Sequence, residues 1–99
     1  MKYKFEWDRK KANSNKEKHK ISFQRAVSVF RDPCMISIFD DKHSDSEDRW
    51  ITLGIDTNGT LLVISHTFHS ISSSLCKIRI ISARKATKAE ETKYKELAI

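Results

Sequence analysis

Among the arginines and histidines of this sequence, types that can do chemistry on an anion, four are the candidates: Arg49, His66, Arg79 and Arg84. A guanidinium stays charged, and its planar fork matches pairs of phosphate oxygens. A histidine titrates near working pH and can give or take a proton. Arg79 stands among isoleucines in the run Lys77-Ile-Arg-Ile-Ile-Ser-Ala-Arg84. A strand arginine in that company is unusual unless its face of the sheet is open, so Arg79 is the best phosphate ligand. Each candidate also has a structural reading. Arg79 can sit at an exposed edge or pair with an acid. Arg84 can neutralise Glu90, Arg49 can pair with Glu47, and His66 can be a satisfied residue near the end of an apolar face. His19, at a helix C-terminus where positive charge is favoured, reads as structural. His43 and His69 fall in loops and carry no assignment. Glu47, Asp48 and the histidines show no metal-ligand spacing. Neither a metal nor a cofactor is expected.

The elements that must position these residues are legible from pattern. The block Asp48–Phe68 reads as a β-hairpin, because Asn58-Gly59 suits a two-residue turn with both residues at positive φ. That turn pairs Ile55 with Leu62, Leu53 with Ile64, Ile51 with His66 and Arg49 with Phe68. These residues then share the core face, with Arg49 and His66 near its end. Trp50, Thr52, Gly54, Val63, Ser65 and Thr67 take the wetter face. In the last strand Ile78, Ile80 and Ser82 share the core parity, while Arg79 and Ile81 point to the open side. Arg84 has core parity but lies at the strand's exit. The four candidates can serve one phosphate only if twist or a bulge brings the two sets together.

Upstream, Tyr3, Phe5 and Trp7 alternate with Lys4 and Glu6, as in a strand with one aromatic face. Asp8 is placed as the N-cap of a helix running to Lys18 or His19. Trp7 and Ala12 form a small hydrophobic staple across its start. Its inward positions are Ala12, Asn15 and His19. Its outer face carries Arg9, Lys10, Lys11, Lys16, Lys18 and Lys20. Ser22 caps a second helix with the stripe Phe23, Ala26, Val27 and Phe30, and Asp32-Pro33 ends it. Met35–Phe39 is a short strand, 40–47 a polar loop and Ser70–Ser74 a flexible connection. Thr87-Lys-Ala-Glu90 is a capping box opening a last helix with Tyr94 and Leu97 inward, and Glu91 faces Lys95. The order β-α-α-β-β-β-β-α is an α+β pattern with a mainly antiparallel sheet, two N-terminal helices and a C-terminal helix.

The totals agree with one domain over residues 1–99. Net charge is +6, which points to a polyanionic partner: nucleic acid, an acidic protein or an anionic membrane. Nothing approaches the roughly 20 apolar residues of a membrane span. The N-terminus is charged and has no apolar h-region. Cys34 and Cys76 match no CxxC pattern and read as reduced thiols of a cytosolic protein.

A set of residues spread over nearly the whole chain resembles the BrnT family, the toxin halves of bacterial type II toxin–antitoxin pairs. The set is Phe5-Glu-Trp-Asp8, Lys11, Asn15, Lys18-His19, Ile21-Ser-Phe23, Phe30-Arg-Asp-Pro33, Glu47-Asp-Arg49, Gly54 and Ile78-Arg-Ile-Ile-Ser-Ala-Arg-Lys-Ala86. The resemblance implies a RelE/ParE toxin-like fold, RNA cleavage in the cytoplasm, and neutralisation by a DNA-binding antitoxin of the BrnA type. RNA cleavage without metal fits the residues. The 2′-OH attacks the adjacent phosphate, cations stabilise the phosphorane, and an acid and a base handle the protons. Arg79, Arg84, Arg49 and His66 are the candidates for that work. Lys11, Lys16 and Lys18 would hold RNA backbone through charge. A non-catalytic basic module that docks RNA or an acidic protein is the competing reading. A toxin fold aimed at another target is a third. The sequence departs from the family where Lys20 stands in place of a glycine, and in the Ser-rich connection before the last strand.

Overall fold

The computed structural model describes residues 2–97. Each N-terminal element begins where its cap predicts. Strand β1 is Lys2–Glu6 and helix α1 is Arg9–His19. The Asp8 carboxylate accepts from the amides of Lys10 (2.7 Å) and Lys11 (3.2 Å). Trp7 and Ala12 both pack against the core. Ser22 caps α2, Phe23–Val29, by accepting from the Arg25 amide (3.2 Å). Its buried residues are Phe23, Ala26 and Val29, with Phe30 just beyond. Val27, expected in the stripe, is half-buried, and Val29 takes its place against Gly54. A Cβ at Gly54 would stand 2.7 Å from Val29 Cγ1, so glycine is what allows α2 this close to the sheet.

Lys20 adopts φ 61° and donates its amide to the Lys16 carbonyl (3.0 Å). This is the left-handed helix stop that favours glycine. Lys20→Gly removes the Cβ strain, at the cost of a freer unfolded chain. The variant should be more stable by up to about 1 kcal/mol, read as a raised urea midpoint. An unchanged or lowered midpoint would show that the lysine side chain, whose Nζ reaches the Glu17 carbonyl (3.0 Å), offsets the strain.

The remaining elements are β2 (Ile36–Phe39), a single 3-10 turn (Asp41–His43) in the polar loop, β3 (Arg49–Ile55), β4 (Leu61–Thr67), β5 (His69–Ser70), β6 (Leu75–Lys85) and α3 (Lys88–Leu97). The two-residue β5 was not expected. The sheet is mixed, in the order β1-β6-β4-β3-β2. β1 runs parallel to β6, and β5 pairs with β6 antiparallel. Helices α1 and α2 cover one face, over a core of Phe23, Leu62, Ile64, Cys76, Ile78 and Ile80. At α3 the capping box forms in both directions, Glu90 N–H to Thr87 Oγ1 (3.2 Å) and Thr87 N–H to Glu90 Oε1 (2.8 Å). Tyr94 is buried and donates to Asp32 Oδ2 (2.5 Å). Leu97, expected inward, is 59% exposed. Cys76 is buried and Cys34 half-buried, and no disulfide joins them.

The hairpin register differs from expectation by one residue. Ile55 pairs with Leu61, Trp50 with His66 and Arg49 with Thr67. The loop is one residue longer than a two-residue turn. Asp56 and Gly59 close a turn (Gly59 N–H to Asp56 O, 3.0 Å), and only Gly59 takes a positive φ, 77°. Asp56 dictates this. Its Oδ1 accepts from the amides of Asn58 and Thr60 (2.9 Å each), and its Oδ2 takes the Nε–H of Arg25 (2.7 Å). Because side chains alternate, the slip turns β3 over. Trp50, Thr52 and Gly54 lie on the helix-covered face. Arg49, Ile51 and Leu53 lie on the open one.

A second irregularity reverses parity in β6. His66 pairs with Ile80 but Ser65 with Ser82, leaving a bulge. Ala83, not Ser82, then enters the core, and Arg84 opposite Val63 joins the open face. β1 ends at Glu6, beside Arg79, so the outer edge of β6 beyond it has no strand partner. Asn15 supplies one. Its Nδ2 donates to the carbonyls of Ala83 (2.8 Å) and Ile21 (3.0 Å), and its Oδ1 accepts from the Ala83 amide (3.0 Å).

Candidate active site

The slip and the bulge together put Arg49, Arg79 and Arg84 on the open face and leave His66 alone on the other. His66 is 1% exposed. Its Nδ1 meets the Thr67 carbonyl (2.9 Å), its Nε2 meets Thr52 Oγ1 (2.7 Å), and Phe30 packs edge-on at 5.0 Å. Every polar atom of the ring is satisfied inside the protein. Burial pushes its pKa below the ordinary 6.5, opposed by the Thr67 carbonyl. The unfolded chain therefore takes up this proton first. Stability should be full above pH 6.5 and fall as pH drops below it, by at most about 1.4 kcal/mol per pH unit. Urea midpoints from pH 8 to 5 should show that fall in the wild type and not in His66→Gln. Parallel curves would mean that the ring is not held neutral.

Arg84 is occupied elsewhere. Its guanidinium holds Glu90 through two bonds, 2.8 and 3.0 Å. The pair holds the Glu90 carboxyl down at about 2 and raises the Arg84 pKa. Arg84 faces Val63 near the hairpin turn, whereas Arg49 faces Thr67 four residues along β4. At strand rise that is roughly 13 Å.

Arg49 and Arg79 do come together. Three adjacent strands carry Arg49, Thr67 and Arg79 in a row. Arg49 is opposite Thr67, and the Arg79 amide donates to Thr67 Oγ1 (3.2 Å). Glu47 Oε1 lies between the two guanidiniums. It forms a short ion pair with Arg79 Nη2 and stands 3.7 Å from Arg49 Nη2. Arg49 Nε is buried and has no hydrogen-bond partner among the described residues. A cleft of about 400 Å³ opens beside this pair, lined by Arg79, Lys77, His69, Thr67 and Phe68 and by three carboxylates, Glu6, Glu47 and Asp48, with Arg49 behind Glu47 and outside the lining. Lys77 shares the parity of Arg79 and stands 3.6 Å from Glu6 Oε2. In this arrangement a carboxylate oxygen sits where an oxygen of a bound phosphate would be gripped.

Lys77, Glu47, Thr67 and His69 had no place among the residues expected to act. Lys77 was legible, since it is two positions from Arg79 on one strand. His69 was not, because β5 is too short to carry a pattern. Lys11 and Lys18 border a groove between α1 and β6, beside Ile81 and Ser82, and Lys16 faces another side with Asn13 and Lys20. No three His, Cys, Asp or Glu side chains are grouped as metal ligands among the described residues. None of the helices described is long and apolar enough to cross a membrane.

Residues 7–90 match a family model described as "Ribonuclease toxin, BrnT, of type II toxin-antitoxin system". Among solved structures, the chain is similar to the Brucella abortus ribonuclease toxin BrnT. Identity is 18%, covering 88% of this chain and 100% of that one, with a TM-score of 0.54. That likeness is one of fold. No curated protein matches the sequence.

Proposed function

This chain belongs to the BrnT family of ribonuclease toxins of type II toxin–antitoxin systems, and we propose that its Arg49–Glu47–Arg79 cleft cleaves RNA without a metal ion. The observation that carries the reading is the convergence of two guanidiniums on one carboxylate oxygen at the wall of an open cleft. An RNA phosphate entering there displaces Glu47 from between the arginines. Arg79 and Arg49 then bind the non-bridging oxygens and stabilise the extra negative charge of the phosphorane. The freed Glu47 carboxylate takes the proton of the 2′-OH as its oxygen attacks phosphorus. The bond to the 5′-oxygen breaks, and that oxygen leaves with a proton donated by the His69 ring. A 2′,3′-cyclic phosphate and a 5′-hydroxyl remain.

Lys77 adds positive charge to the cleft. Lys11, Lys16 and Lys18 hold the RNA backbone by charge alone. Arg84 anchors α3 rather than substrate, and His66 supports the fold. The product is inhibited translation in the cytoplasm, held in check by a DNA-binding antitoxin of the BrnA type.

The test is incubation of purified protein with RNA in EDTA, followed by analysis of the product ends. Cyclic phosphate and 5′-hydroxyl termini are expected. Cleavage that requires added metal would overturn the mechanism. Intact RNA from correctly folded protein, with normal growth on expression, would overturn the enzyme reading. It would leave the basic binding module.

A further inference from the structure

On the helix-covered face, sharing Phe68 with the cleft, lies a second cavity of about 200 Å³, lined by Tyr3, Phe30, Met35, Ser37, Trp50, His66 and Phe68. Phe68 is a wall of both spaces. It is 42% exposed, and its ring lies 6.4 Å from that of Trp50. We propose that this cavity is a nucleobase subsite, which takes one unstacked base of an RNA whose phosphate lies in the arginine cleft. The inference rests on the RNA-cleaving reading above and adds to it the part of the substrate that is read.

Three observations carry it. The first is adjacency: Phe68 lines both spaces, so an RNA strand that rounds the end of β4 at Phe68 passes from the arginine cleft on the open face to the aromatic cavity on the helix-covered one. The second is the lining. Proteins that bind single-stranded nucleic acid stack bases on exposed aromatic rings beside a positively charged track. Phe68 and the half-buried Trp50 offer such rings next to the Arg79–Lys77 cleft, and Tyr3 and Phe30 line the same cavity.

The third is the direction of a hydrogen-bond chain. The Thr67 carbonyl can only accept, so His66 Nδ1 carries the proton, an assignment made from the network. With the ring neutral, Nε2 is an acceptor, and the Thr52 hydroxyl donates to it (2.7 Å). Thr52 Oγ1 then accepts from the Ser37 hydroxyl (2.7 Å). Ser37 has spent its proton and presents only lone pairs to the cavity. A base with an exocyclic amine, which donates two N–H groups, suits that oxygen. Uracil offers mainly carbonyl oxygens and one ring N–H between them. The subsite should therefore prefer cytosine over uracil among pyrimidines.

The experiment uses fluorescence anisotropy with three strands of equal length: oligocytidylate, oligouridylate and an abasic ribose-phosphate strand. All carry 2′-O-methyl groups, so none can be cut. Both base-bearing strands should bind roughly fivefold or more tightly than the abasic one. Oligocytidylate should exceed oligouridylate by roughly two- to tenfold, the worth of one neutral hydrogen bond. Phe68→Ala should bring both down toward the abasic strand. Ser37→Ala, at an exposed position, should erase only the cytosine preference. Equal binding of all three strands overturns the subsite. So does a Phe68→Ala variant that loses a protein antitoxin but not RNA, since the cavity would then be seating a protein side chain. Arg79→Ala should weaken all three strands alike. If it changes none of them, the phosphate reading fails, and that failure is distinct from failure of the subsite.

Discussion

Arg79→Ala should lower the rate of RNA cleavage by roughly 10²- to 10³-fold, the usual effect of removing one preorganised group that stabilises transition-state charge. The fold should survive. Arg79 is 39% exposed, and its ion pair with Glu47 is a surface interaction, so the loss of stability stays below about 1 kcal/mol. Arg79→Lys should recover only part of the rate, because a point charge cannot hold two oxygens in the plane of a fork. Glu47→Gln completes the set with opposite effects on two steps. RNA should bind more tightly, since nothing charged competes for the arginines, while the cleavage step slows for want of a base. Single-turnover cleavage of a short RNA, with binding followed separately, resolves the two. A wild-type rate in folded Arg79→Ala would remove this cleft from the chemistry. Slower cleavage in Glu47→Gln without tighter binding would leave Glu47 a base and not a stand-in for phosphate.

The largest effect on stability should come from Asn15→Ala. Asn15 is 6% exposed, and its amide replaces a missing strand partner along β6. Truncation strands two carbonyls and one amide. A single orphaned buried group costs about 1–3 kcal/mol. The three together, partly relieved by water, should cost on the order of 3 kcal/mol or more. For a domain of this size that lowers Tm by on the order of 15 °C. Denaturant and thermal unfolding of the variant check it. A loss below about 1 kcal/mol would mean that Ala83 is paired without Asn15. The effect should also reach the Arg84–Glu90 anchor of α3, because Ala83 lies just past the bulge that turns Arg84 to the open face.

How much of this was legible in the sequence follows a physical line. Caps and turns are local. Asp8, Ser22 and the Thr87–Glu90 box act over two or three residues, and each starts its helix where the pattern placed it. The positive φ at Lys20 was equally local. So was the alternation that made β1 a strand. Family membership, too, was readable, since its residues are spread along the whole chain.

What tertiary structure decided was which candidates face one another. The hairpin loop gained a residue because the Asp56 carboxylate holds the amides of Asn58 and Thr60 within the loop and is itself held by Arg25, which is 31 positions away in sequence. No spacing within the hairpin records that contact. With a side-chain period of two, one added residue moved Arg49 to the open face beside Arg79 and gave His66 a buried partner in Thr52. The β6 bulge moved Arg84 to that face as well, but at the far end, where Glu90 holds it. The residue types of the candidate site were therefore present in the chain as written. Their division into an arginine cleft, a helix anchor and a buried histidine came from the register, which the Asp56 turn with its distant Arg25 partner and the β6 bulge set together.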